Sequence, residues 1–334
     1  MAGSRTPGEA GTDPRSPGGT VPPTTPQPVV HDATRAAIFL VLTVAPGGED
    51  DVRELLADLP GLVRTVAFRG PGDGLACVLG IGSEAWDRLF AGPRPAALHP
   101  FQALRGARHV APATPGDLLL HLRAQRMDLC FELATLVTRR LGKAVAVVDE
   151  THGFTYFDQR DLLGFVDGTE NPTGPASGAA ALVATEDPAF AGGSYVIVQK
   201  YLHDLGRWDA LSIEEQEAVV GRTKAANVEL AAKEQPPDSH VAVNQVEDAD
   251  GRAQQIVRAN MPFGSLARGE YGTYFIGFCR TPSVIEQMLR NMFLGTGEAT
   301  HDRILDFSTA MTGSLFFTPP ADFFDALPDA PHAS

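Results

Sequence analysis

Apolar residues along this chain switch between unbroken runs and a helical repeat, and the switches mark out its elements. Ala37 to Ala45 is a continuous apolar run rich in Ile, Val and Leu, which predicts a buried strand. Pro46-Gly47-Gly48 then turns the chain. Val52, Leu55, Leu56 and Leu59 follow at helical spacing, and Pro60-Gly61 predicts the stop of that helix. Leu62 to Phe68 and Leu75 to Ile81 read as two further strands, followed by a short helix from Ser83 to Phe90. Leu118 to Leu122 reads as strand. Met127, Cys130, Phe131, Ala134, Val137 and Leu141 mark the inner stripe of a longer helix ending near Gly142, and Ala144 to Val148 closes this half.

The pattern then repeats. Tyr195 to Tyr201 reads as strand, Ile213 to Lys224 as a weaker helix and Tyr274 to Cys279 as another strand. After Pro282, Val284, Ile285, Met288, Leu289, Met292 and Phe293 form one continuous helical stripe. Strand, helix, strands, helix, strand is the order of a ferredoxin-like sheet with helices on one face. The expected fold class is therefore α+β, with antiparallel sheets in two related halves joined near Glu150. The expected boundaries are an N-terminal arm over 1–30, halves over 31–150 and 151–320, and a flexible tail over 321–334. One larger α+β domain is compatible with the same spacing.

Composition narrows the function. With 334 residues, 43% of them hydrophobic, the chain can bury a substantial core. A formal charge of −14 and no Lys/Arg cluster argue against a nucleic-acid partner. The three cysteines, Cys77, Cys130 and Cys279, are too scattered for a disulfide framework and fit a reducing cytoplasm. Residues 1 to about 30 are rich in Pro, Gly, Thr and Ser with no apolar stretch, so they read as a disordered arm rather than an export signal. No membrane span is expected. No Cys-x-x-Cys-His run marks covalent haem attachment.

Candidate chemistry centres on Gly164-Phe165-Val166-Asp167-Gly168-Thr169-Glu170-Asn171-Pro172. Asp-Gly and Asn-Pro make a surface turn a sufficient account of this loop on local grounds. In Gln255-Ile256-Val257-Arg258-Ala259-Asn260-Met261, a strand would point Arg258 and Asn260 to one face, either into a cavity or, on an edge strand, into water. His240 stands at the edge of an apolar run. Asp302, inside His301-Asp302-Arg303, suits a helix N-terminus or a partner for Arg303.

These separated motifs, in this order, resemble the dye-decolorizing peroxidases, which are haem enzymes consuming hydrogen peroxide. The resemblance runs from about Ala37 to Pro319, and the close spacing of Gly193-Ser194-Tyr195 and Met261-Pro262-Phe263-Gly264 is most similar to the bacterial B-type subgroup. It implies two ferredoxin-like halves of the dimeric α+β barrel type, with non-covalent haem b lodged in the second. It further implies His240 as axial ligand of the iron, ahead of the rival His301, and Asp302 as the carboxylate behind that ligand. Asp167, Arg258 and Asn260 take the places of the catalytic residues over the haem. Gly168 belongs to the same pocket, and Phe275, Leu294, Ile304 and Phe307 are its expected apolar neighbours.

The implied reaction reduces hydrogen peroxide through a ferryl intermediate and oxidises phenolic, dye-like or other one-electron donors. A cytoplasmic homo-oligomer is implied too. Some members end in a tail that directs them into a protein nanocompartment. The end here, Leu327-Pro328-Asp329-Ala330-Pro331-His332-Ala333-Ser334, shows no clear match to such a tail, and encapsulation is left open. Two other readings stand beside the enzyme: a haem-handling protein with incidental peroxidase activity, and a hard-cation site built on Asp167 and Glu170.

Overall fold

The computed structural model describes residues 24–331. In the first half β1 (Ala36–Val44) leads to α1 (Glu49–Ala67), β2 (Ala76–Gly82) and α2 (Ser83–Leu89). A small hairpin of β3 (Leu104–Arg105) and β4 (Val110–Ala111) follows, then β5 (Leu118–Ala124), α3 (Met127–Leu141) and β6 (Val145–Phe154). The second half has α4 (Pro175–Ala181), β7 (Ser194–His203), α5 (Leu205–Asp209), α6 (Ile213–Val220) and α7 (His240–Val243). It continues with β8 (Val257–Arg258), β9 (Met261–Ser265), β10 (Glu270–Cys279), α8 (Pro282–Leu294), β11 (Ser308–Ala310) and β12 (Ser314–Thr318).

The sheet order is β6-β1-β5-β2-β12-β7-β10-β8, all antiparallel. Within each half this places the fourth strand beside the first, then the third, then the second, which is the ferredoxin-like order. The same order occurs twice. Pairing of Phe316 with Gly82 and Phe317 with Ile81 joins β12 to β2, so both halves share one sheet. The sheet curls until β6 meets β9. A Cβ on Gly153 would lie 2.6 Å from the Cβ of Met261. The enclosed face holds a core in which Phe39 stacks on Tyr274 at 4.1 Å and on His121 at 4.8 Å. The helices α1, α3 and α8 cover the other face.

Most expected elements are present, with instructive differences. The helix stop at Pro60 and the strand over 62–68 are overturned, because α1 runs unbroken through Pro60 to Ala67. A proline inside a helix costs about 3 kcal/mol, but Leu59, Leu62, Val63 and Val66 continue the same stripe onto the core. Burial of such side chains returns about 1.5–3 kcal/mol each when complete, so packing outweighs the break. In α3 the inner stripe includes Leu129 and Leu133, whereas Phe131 is 55% exposed. The helix does end at Gly142, where φ is +49°. The α6 helix is shorter than expected, ended by Gly221 in the left-handed region.

β6 runs straight through the expected junction near Glu150. Residues 24–30 of the expected arm are tied to the body, since buried Gln27 bonds both Leu79 and the carbonyl of Pro319. Residues 1–23 lie outside the described residues. Of the expected tail, Phe324 is buried and Asp329 accepts a bond from the Ala91 amide, while 332–334 are not described. All three cysteines are buried and unpaired.

Candidate active site

The expected strand over 255–261 is split, and Asn260 is the reason. Its Oδ1 accepts the Ile276 amide at 3.0 Å, a place that a strand carbonyl would fill, so the ladder breaks between β8 and β9. Its Nδ2 then faces Asp167 Oδ1 at 3.2 Å. The same Oδ1 accepts the Gly168 amide at 2.7 Å, a turn made possible by φ of +77° at Gly168. The other oxygen of Asp167, Oδ2, has no hydrogen-bond partner among the described residues. The loop is thus a turn that also holds an oriented carboxylate.

Arg258 sits on β8, an edge strand as one sequence reading had it, but its side chain lines a cavity with Asp167, Gly168 and Asn260. Asn171 fixes its backbone from both sides. Arg258 N donates to Asn171 Oδ1 at 2.8 Å and Asn171 Nδ2 donates to Arg258 O at 2.8 Å. No carboxylate lies within 4 Å of the guanidinium among the described residues, and Nη2 approaches only Met288 Sδ at 3.8 Å. Burial lowers its pKa from the usual value, against the opposing charges of Asp167 and Glu170. An unpaired, half-buried cation invites an anion.

His240 opens α7, whose N-cap Ser239 accepts from Ala242 at 3.4 Å. Its Nδ1 donates to Asp302 Oδ2 at 2.6 Å, which leaves Nε2 as the free nitrogen of a ring 39% exposed on the cavity wall. Burial would lower the pKa of this imidazole, but the Asp302 carboxylate outweighs it and the net shift is upward. Asp302 itself is 0% exposed and caps the turn Arg303–Asp306 with Oδ1, at 3.0 Å from Ile304 N. It is a helix-capping residue and the partner of His240 at once.

His203 also lines the cavity, but Ser308 and Thr273 occupy its two nitrogens at 2.8 and 2.9 Å. Burial lowers its pKa to about 4. His240 is therefore the one cavity imidazole with a nitrogen to offer among the described residues. The rival His301 is turned away, its Nε2 3.2 Å from Asp306 Oδ1.

The cavity measures about 400 Å³, within the range of small-molecule and cofactor sites. Phe275 and Ile304 line it as expected. Leu294 does not: it is the last residue of α8 and 45% exposed. Phe307 also stays out of the lining, packed in a satellite cluster with its ring 5.2 Å from that of Trp208. The hard-cation site fails on geometry, because Glu170 is engaged by Arg222 at 2.6 Å instead of joining Asp167. Sequence reasoning missed Asn171, although it lies in the quoted loop. It also missed Asn244, which donates to the His240 carbonyl at 2.8 Å, and Asp161. Burial pushes the Asp161 carboxyl on the cavity wall up to about 7, against the Phe165 amide it accepts and with the charge of Asp167 adding.

Comparisons with known proteins show the family. Residues 26–155 match the family model of the Dyp-type peroxidase N-terminal region, and 158–323 match that of the C-terminal region. The chain belongs to the Dyp-type peroxidase family. It is 59% identical to a dye-decolorizing peroxidase of Rhodococcus erythropolis over 309 residues, 92% of this chain and 91% of that protein. It is 58% identical to one from Mycobacterium tuberculosis over 314 residues, 94% of each chain. The cryo-EM structure of the encapsulated DyP-type peroxidase of Mycobacterium smegmatis superposes with a TM-score of 0.91 at 57% identity, covering 92% of this chain and 100% of that one. DypB from Rhodococcus jostii gives 0.89 at 53% identity over 91% and 98%, and a variant of it is solved in complex with heme. This likeness places the chain with the bacterial B-type subgroup.

Proposed function

We propose that the cavity holds haem b, that His240 would hold its iron through Nε2, and that Asp167, Arg258 and Asn260 carry the peroxide chemistry. The chain is a peroxidase by family. The observation that carries the assignment is the convergence on one cavity of a carboxylate-backed imidazole with a free nitrogen and of an oriented carboxylate beside an unpaired guanidinium. Apolar walls such as Phe275, Ile285 and Leu289 suit a porphyrin face. Bound there, haem b would supply the redox chemistry by which hydrogen peroxide is reduced at the expense of phenolic, dye-like or other one-electron donors.

The protein residues then divide the work. Asp167 Oδ2 accepts a proton from one peroxide oxygen and returns it to the other as the O–O bond breaks. Asn260 and the Gly168 amide hold Oδ1, so the carboxylate presents one oxygen in one orientation. Arg258, charged throughout, stabilises negative charge on peroxide and on the departing oxygen. Asp302 draws on the Nδ1 proton of His240 and makes Nε2 a stronger donor. A cytoplasmic homo-oligomer remains the assembly we favour, on family resemblance, and encapsulation is not part of the reading.

Stopped-flow mixing of ferric holoprotein with hydrogen peroxide, followed in the visible region, tests this. The wild type is expected to show a Soret band that changes rapidly with peroxide. Arg258→Ala should retain haem yet react at least about a hundredfold more slowly. An unchanged rate in that variant would favour the haem-handling reading, and no Soret band after haem is supplied would remove both.

A further inference from the structure

Outside the cavity, two imidazoles and a carboxylate meet on the side of the molecule where the β3–β4 hairpin packs on the second half. We infer that His109, His301 and Asp306 form a site for a divalent transition-metal ion, zinc on the chemistry of its donors. Asp306 Oδ1 stands 3.1 Å from His109 Nε2 and 3.2 Å from His301 Nε2. One ligand atom from each residue lies within 4.8 Å of the other two, and the histidine rings are 4.8 Å apart. Tetrahedral zinc with nitrogen and oxygen ligands at about 2.0–2.1 Å places neighbouring ligand atoms roughly 3.3–3.4 Å apart. Two of the three edges are already within a few tenths of an ångström of that, and the third, between the two imidazole nitrogens, lies within 4.8 Å.

The backbone holds these donors in place. The β3–β4 turn that carries His109 lies against the end of α8, where a Cβ on Gly106 would clash with the Phe293 carbonyl. The Asp302 amide donates to Met292 O at 2.8 Å, fixing the segment with His301, and Arg207 Nη1 donates to the Asp306 carbonyl at 2.7 Å. Without an ion, each histidine keeps a proton on Nε2 to donate to Oδ1. Binding moves that proton to Nδ1 or to solvent, and in His301 the Nδ1–H then meets Thr300 Oγ1 at 3.0 Å. The residues are partly exposed, so water completes the shell. Two imidazole nitrogens and one carboxylate oxygen suit zinc over calcium or magnesium, which prefer all-oxygen shells.

The ion would tie the first half to the turn Arg303–Asp306, whose capping residue Asp302 orients His240. Calorimetric titration of chelator-treated holoprotein with zinc chloride tests the site. The wild type and a control, His99→Gln, are expected to bind one ion per chain with micromolar Kd. His109→Gln should lose more than the ten- to hundredfold typical of an outer partner. Zinc should raise the melting temperature of the wild type and not of His109→Gln. X-ray absorption at the zinc edge of the wild-type complex, independent of any variant, should show two imidazoles among its ligands. Wild-type binding no tighter than millimolar would reduce the cluster to a hydrogen-bonded pin. Equal binding by His109→Gln, or a shell of oxygen or sulfur without imidazole, would overturn the site.

Discussion

Asn171 and Arg258 clasp each other through two hydrogen bonds of 2.8 Å, amide side chain to backbone in both directions. The pair welds the Asp167 loop to β8, so the acid and the guanidinium are placed by one joint. Asn171→Ala should leave haem bound and slow the peroxide reaction by about ten- to a hundredfold, since small misplacement of reacting groups has costs of that order. Stopped-flow rates and the haem content of the purified variant check this; a full rate would show that each side chain is placed independently.

Asp302 caps the turn with one oxygen and holds His240 with the other. Asp302→Asn keeps the cap but replaces a charged acceptor by a neutral amide. The ferric state, which benefits more from an electron-rich ligand, should lose ground to the ferrous state. Redox titration should show a positive shift on the order of 60 mV for each tenfold change in relative affinity. No shift would mean that the iron does not sense this carboxylate.

Asp161 gives the stability a pH dependence whose sign follows from its surroundings. In the folded chain burial holds the proton up to about 7, against an ordinary 3.8. Across that interval the folded state binds more protons than the unfolded chain. The contribution is therefore fully present below 3.8 and is lost as pH rises through about 7. Asp161→Asn, which can still accept the Phe165 amide, has no such loss. Thermal unfolding at pH 5 and pH 8 should show the variant gaining on the wild type by up to ~3 kcal/mol. A pH-independent difference counts against the assignment.

Gly153 tests the closure of the sheet. A Cβ there would lie 2.6 Å from Met261 Cβ and 3.2 Å from the ring of Phe39. Gly153→Ala should destabilise by about 1–3 kcal/mol as an overpacked core does. Chemical denaturation should show the midpoint falling while the slope holds; an unmoved midpoint would mean that β6 and β9 give way freely.

What the sequence made legible follows from what its signals report. The α8 stripe was readable because every one of its six apolar positions is buried, and β1 because both of its faces are. Pro60 misled because a local stop signal says nothing of the core that α1 meets further on. Leu294 has an apolar side chain at helical phase, yet the helix ends there and leaves it in solvent. The site itself came from separated motifs and a family likeness, since His240 alone has no local mark. Asn171, Asn244 and Asp161 were hidden because their importance lies in a contact 87 residues away, in Asn244's hold on His240 and its 3.4 Å approach to Asp302 58 residues on, and in burial that no pattern announces.

The seam between β2 and β12 bears on how the molecule can be divided. Similarity separates the chain near residue 156, but the first half reaches the second through Phe316 and Phe317, which lie close to the far end of the chain. Severed pieces would each bare a raw strand margin lined with unmatched amides, a template for sticking to copies of themselves. Whatever its origin, the chain is stitched so that it must be synthesised through its last strand before the two halves can join.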